Sequence, residues 1–169
     1  LGLIVSWVVS LFEAVVAQIP LVLAFQSLIL GMSGNVGTQS LGVTIRVLMD
    51  DELTGKEKRH LVAKEARVGF VNGLIMGSMA FVFLGLYILA AKHQTAAASF
   101  TISACIAVSL WLAMIVSSLT GTTIPIFFKK IGVDPAVASG PLITTINDLC
   151  AVILFYGLVW LFLIRMLGM

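Results

Sequence analysis

Charged side chains are scarce in this sequence: ten Lys or Arg and eight Asp or Glu among 169 residues, 11% of the chain. A soluble domain carries about 25% and needs them to keep its surface wet, so a soluble globular fold is excluded. Residues 14–45, 68–91 and 94–128 hold no Asp, Glu, Lys or Arg. Each run exceeds the roughly 20 residues that a helix needs to cross the hydrocarbon core. None alternates polar and apolar residues with a period of two, which removes a transmembrane barrel. Backbone groups in lipid must be satisfied within their own segment, so the spans are helical. No basic cluster is interleaved with aromatics, so nucleic acid is not an expected partner. The two cysteines, Cys105 and Cys150, lie in apolar stretches and read as small packing residues. There is no phosphate-binding glycine loop, no zinc-protease histidine pair, no framed Ser or Cys nucleophile and no haem ligand pair, so no enzyme is expected.

What is present is 60% hydrophobic. The expected fold is all-α and membrane-integral, with five transmembrane helices. They cover residues 1–12, about 15–49 with an interruption at 31–37, about 66–91, about 97–128 and about 136–166. The first is too short to span, so residues 1–169 read as one transmembrane pore domain whose first helix is truncated. Arg46, Lys56, Lys58, Arg59, Lys64 and Arg67 crowd the connection after the second segment, and Lys129 and Lys130 flank the one after the fourth. Positive charge favours the cytoplasm. The chain is therefore expected in the cell membrane, multi-pass, with its N-terminal side cytoplasmic and its C-terminus outside. Residues 50–67 read as a solvated loop with a short amphipathic turn, and His60 and His93 as loop histidines.

Few polar residues lie within the spans, and each asks for a reason. Asp148 sits inside the fifth segment, with Thr144 and Thr145 one turn before it and Asn147 beside it. A carboxylate at that depth costs several kcal/mol unless it meets water, a cation or a partner, and Arg165 is more than four turns away. A cation site on a water-filled path is the expected role. The run Gly31-Met32-Ser33-Gly34-Asn35-Val36-Gly37-Thr38-Gln39-Ser40 interrupts an apolar span, and such backbone at membrane depth points to a broken helix that faces a cavity or to close helix contact. Gly69, Gly73 and Gly77 form a stripe for close helix packing, and Asn72 beside it can bond across helices. The hydroxyls of residues 117–123 can back-bond to their helix ahead of Pro125, giving a bend or a pore wall. Asp134-Pro135 has the pattern of a helix N-cap followed by proline. Glu65, within Lys64-Glu65-Ala66-Arg67, reads as a surface ion pair.

Four stretches together resemble the transmembrane domain of the MgtE magnesium channels and transporters, related to solute carrier family 41. They are Gly34 through Ser40; Lys64-Glu65-Ala66-Arg67-Val68-Gly69; Gly121 through Pro125 followed by Lys129 through Ala136; and Pro141-Leu142-Ile143-Thr144-Thr145-Ile146-Asn147-Asp148. The resemblance implies a homodimer of five-helix subunits, with one ion path on the two-fold axis and no catalytic residues. It implies that Asp148 from each subunit and the Thr144 carbonyl hold a hydrated Mg²⁺. Asn35, Gly37, Gln39, Gly140, Thr145 and Asn147 would line the adjacent wall, and Glu65 would stand near the cytoplasmic mouth. Mg²⁺ keeps its water shell where it can, which suits carboxylates that bond to the waters; Mn²⁺, Co²⁺ and Ca²⁺ remain open as alternatives. The cytosolic regulatory domains of the family are not present in this sequence. The expected function is conduction of divalent cations into the cytoplasm, with the lipid bilayer and divalent ions as partners. The alternatives are a proton- or Na⁺-coupled secondary transporter, a permease subunit of another importer, and a scaffold whose polar residues only hold helices together.

Overall fold

The computed structural model describes residues 2–18, 20–50, 53–92, 94–136 and 141–166, and the described residues are helical or in short turns. Seven α-helices follow in order: α1 Gly2–Leu11, α2 Glu13–Gln18, α3 Pro20–Leu23, α4 Gln26–Asp50, α5 Gly55–Ala91, α6 Ala96–Lys130 and α7 Pro141–Leu158. The last continues as a π-helix over Val159–Met166. Among the described residues, four stretches are long and apolar enough to cross a membrane: Pro20–Met49, Gly55–Ala91, Ala96–Lys130 and Leu142–Arg165. At ten residues, α1 is roughly 15 Å long and falls short of the ~30 Å hydrocarbon core.

The interruption expected at residues 31–37 is absent, because α4 runs unbroken from Gln26 to Asp50. The break lies earlier, at Ala24 and Phe25, where the amides turn to carbonyls three residues back, Ala24 to Leu21 and Phe25 to Val22. That tighter pattern gives both amides an acceptor through the break. Glycine in a helix costs up to about 1 kcal/mol against alanine, but here the absent side chains let other helices approach. A Cβ added at Gly37 would lie 2.4 Å from the Ser117 hydroxyl oxygen on α6.

The polar stretch at 50–67 also departs from expectation. From Gly55 onward it is the start of α5, and His60 lies on this helix rather than in a loop; His93 lies outside the described residues. Thr54 caps α5 by accepting from the Glu57 amide, while the Glu57 carboxylate accepts from the Thr54 amide at 2.8 Å. This reciprocal pair satisfies free amide donors at the helix start. With 37 residues, α5 is roughly 55 Å long, so its basic N-terminal turns project beyond the hydrocarbon core.

In the bundle, α6 packs against α5, α4 and α7. The stripe on α5 does what its spacing predicts. A Cβ at Gly73 would lie 2.8 Å from the Trp111 ring, and one at Gly77 would lie 3.0 Å from the Ala107 carbonyl, both on α6. Cys105 is buried in the core, and both cysteines are free thiols. At its other end α6 runs through Pro125 and stops at Gly132, whose φ of 77° suits a residue without a side chain. The Val133 amide reaches back to the Phe128 carbonyl at 2.9 Å and that of Gly132 to Lys129 at 3.2 Å, a paired closure of the last turn. Asp134 accepts from the Ala136 amide at 2.8 Å, but residues 135–136 form a turn rather than the first helical turn expected there, and the described part of α7 opens at Pro141.

Candidate functional site

Serine, threonine and asparagine side chains from three spans meet where α4, α6 and α7 pack together. Ser33, Gly37, Ser40 and Thr44 recur at helical spacing on the buried face of α4. They oppose Ser117, Ser118 and Gly121 on α6. The Ser117 hydroxyl donates to the Ser33 carbonyl at 2.5 Å. Ser118 donates to the Glu65 carbonyl on α5 at 2.6 Å. Its one proton is then used, so in the 2.9 Å contact between the Ser40 and Ser118 hydroxyls Ser40 is the donor. One hydroxyl pair therefore ties α4, α6 and α5 together. Thr120, Thr122 and Thr123 back-bond to the carbonyls of Ser117, Ser118 and Leu119, as expected. Ser117 and Ser118 bond across helices instead.

Asn147 brings α7 into this junction. It is 1% exposed and its amide lies against the Thr120 hydroxyl; with the amide oxygen turned to Thr120, its NH₂ group has no partner among the described residues. Turning the amide over would let the NH₂ donate to Thr120, whose single proton then goes to the Ser117 carbonyl. A Cβ on Gly37 would lie 2.1 Å from that nitrogen, so the glycine is what lets Asn147 fit.

Asp148 is the next residue along and points elsewhere. It is half-buried, and among the described residues no hydrogen bond or ion pair engages its carboxylate. Thr144, one turn before it, is also half-buried, and Thr145 is buried. On α4, Asn35, Thr38 and Gln39 are exposed and Gly37 is buried. The structure therefore joins Gly37 to Asn147 inside the chain and leaves Asn35 and Gln39 on the uncovered face of α4. Gly140 lies outside the described residues.

Glu65 corrects the surface ion-pair reading. It is 4% exposed, one turn before Gly69 on the α5 face that meets α6. No group of three or more His, Cys, Asp or Glu gathers among the described residues. Among the described residues, Asp148 has no second carboxylate gathered beside it in a metal-binding group.

Residues 26–158 match the family model MgtE, described as a divalent cation transporter. The chain is 34% identical over 167 residues to a magnesium transporter MgtE of Bacillus subtilis (strain 168). It is 34% identical over 164 residues to one of Enterococcus faecalis and 28% identical over 162 residues to one of Thermus thermophilus. Each alignment covers 96% of this chain and 34% of the relative, so the chain spans about a third of the length of these relatives. Match and bundle agree, and the chain belongs to the MgtE family of divalent cation transporters.

Proposed function

We propose that two copies of this chain form a pore that conducts Mg²⁺ into the cytoplasm, with Asp148 of each copy bonding to the water shell of one ion. The observation that carries this reading is Asp148 itself, a half-buried carboxylate inside a membrane span with no partner among the described residues. Such a group needs water, a cation or a second protein surface. The described residues of one chain offer a single acid at this point, and a second copy supplies the other. Two carboxylates close together favour a divalent ion, because their mutual repulsion is relieved by its double charge. The Thr144 carbonyl adds a neutral acceptor for the ion's waters, and Thr145 supports the same turn of α7.

The outer face of α4 favours the same arrangement. Asn35 and Gln39, with Gly31 and Gly42, are uncovered, and side-chain amides facing hydrocarbon lose their hydrogen bonds, whereas the exposed Thr38 hydroxyl back-bonds to the Gly34 carbonyl at 2.8 Å. In the pore this face forms the wall beside Asp148, with Gly37 and Asn147 fixing it from behind. In this reading the buried Glu65 stands near the cytoplasmic mouth, and the positive charges of α5 and of Lys129 and Lys130 favour the inner side for that end. The relatives are named as magnesium transporters, and the hard oxygen groups here suit Mg²⁺, with Mn²⁺ close behind.

The test is influx into liposomes that carry the chain and a Mg²⁺-sensitive dye. Influx is expected to follow the Mg²⁺ gradient and the membrane potential and to be indifferent to imposed proton or Na⁺ gradients. Influx that requires either gradient would establish coupled transport instead. No Mg²⁺, Mn²⁺ or Ca²⁺ entry above that of protein-free vesicles would overturn the reading.

A further inference from the structure

A second feature of α5 lies apart from the junction of α4, α6 and α7. On the outer face of this helix lies a groove of about 420 Å³ lined by His60, Lys64, Arg67, Val68, Val71 and Asn72 among others. These residues share one stripe, because their spacing of three and four follows the helical repeat. Lys64 and Arg67 are exposed, and neither has an ion-pair partner among the described residues. The nearby acids among the described residues are occupied or turned away: Glu57 caps the helix through Thr54, and Glu65 is buried towards α6. Among the described residues the two cations therefore stand without a compensating acid.

Their position along the helix is equally specific. Arg67 is the last charged residue of α5, and every residue from 68 to 91 is uncharged. Below it the uncovered face is apolar, with Val68, Val71 and Ile75 each 40–53% exposed. Asn72 is the one amide on this stretch, and among the described residues no hydrogen bond engages its side chain. It lies five residues beyond Arg67, roughly 7.5 Å along the axis. The headgroup layer of one leaflet is about 5–8 Å deep, so Asn72 falls at the base of that layer when Arg67 is at phosphate level.

We propose that this groove is a binding site for one anionic phospholipid. Lys64 and Arg67 engage the phosphate, Asn72 donates to an ester carbonyl, and an acyl chain lies along Val71 and Ile75. The guanidinium matches phosphate oxygens in a forked geometry that a solvated point charge does not. Basic pockets beside transmembrane helices take anionic headgroups for the same reason. Charge complementarity and the apolar lower half together select a lipid over a soluble anion. The site depends only on membrane embedding, not on the identity of the conducted ion.

Native mass spectrometry of the chain released from nanodiscs of equal phosphatidylcholine and phosphatidylglycerol tests this directly. Phosphatidylglycerol is expected to be retained over phosphatidylcholine by about tenfold. K64Q/R67Q should bring the two to parity, while K92Q, at the other end of α5, should change nothing. N72L keeps both charges and is expected to lower retention of both lipids, which separates a seated lipid from general attraction to a basic surface. Parity in the wild type, or a preference that survives K64Q/R67Q, overturns the site. So does efficient cross-linking of two copies through V71C, which would show a second chain on this face.

Discussion

Asp148→Asn is expected to lower Mg²⁺ influx into dye-loaded liposomes by on the order of tenfold or more, towards the level of empty vesicles. The substitution keeps the shape of the side chain and removes its charge. Asp148 has no partner among the described residues, so its loss breaks no bond among them, and the amide is easier to bury than the carboxylate. Folding and oligomeric state should therefore be unchanged or slightly improved. What disappears is the pair of charges that draws a divalent ion into a low-dielectric path and bonds to its first water shell. Asp148→Glu retains the charge on a longer arm and is expected to recover part of the flux, since octahedral Mg²⁺ tolerates misplaced acceptors poorly. Equal influx in the wild type and Asp148→Asn would remove Asp148 from the ion path.

Gly121→Ala is expected to cost about 3 kcal/mol, followed as the midpoint of unfolding in detergent micelles. A Cβ there would lie 2.3 Å from the Gly37 carbonyl oxygen and 3.2 Å from the Leu41 amide nitrogen. Both obstacles are backbone, so α4 and α6 must separate. That movement would also stretch the bonds from Ser117 to Ser33 and from Ser118 to Ser40. Gly37→Ala is expected to cost less. Its nearest obstacles are the Asn147 amide and the Ser117 hydroxyl, which are side-chain ends that can turn. Gly42→Ala meets nothing within 4 Å and is expected to be neutral or to stabilise by up to about 1 kcal/mol through helix propensity. A common cost for all three would mean that propensity, not helix contact, governs these glycines.

The span-forming segments were legible because their signal is local. Absence of charge over more than 20 residues needs no partner to interpret, and a glycine repeat of four points to one helix face. The Gly31–Gly37 stretch was misread for the opposite reason. Glycine weakens an isolated helix, and the residues that stabilise this one, Ser117, Gly121 and Asn147, lie about 80 or more positions away in the sequence. Nothing local marks the actual break at Ala24 and Phe25.

Other signals were present and passed over. Thr54 and Glu57 have the spacing of a capping box, which would have started α5 ahead of its basic residues. Glu65 stands four residues before Gly69, so the stripe that predicted close packing also predicted its burial. On the α4 side, Ser33, Gly37, Ser40 and Thr44 carry a helical repeat that points to a shared face. The divergence of Asn147 and Asp148 follows from helix geometry, since neighbours are about 100° apart around the axis. Which of them faces the core depended on where Thr120 lies, and that is a property of the bundle.

The central claim is that two copies of Asp148 share one ion. It is tested most directly by counting tightly bound Mn²⁺, a hard octahedral stand-in for Mg²⁺, by electron paramagnetic resonance in the reconstituted wild type and in Asp148→Asn. The account predicts that the substitution removes one ion for every two chains. Loss of one ion per chain, or no loss at all, would contradict it.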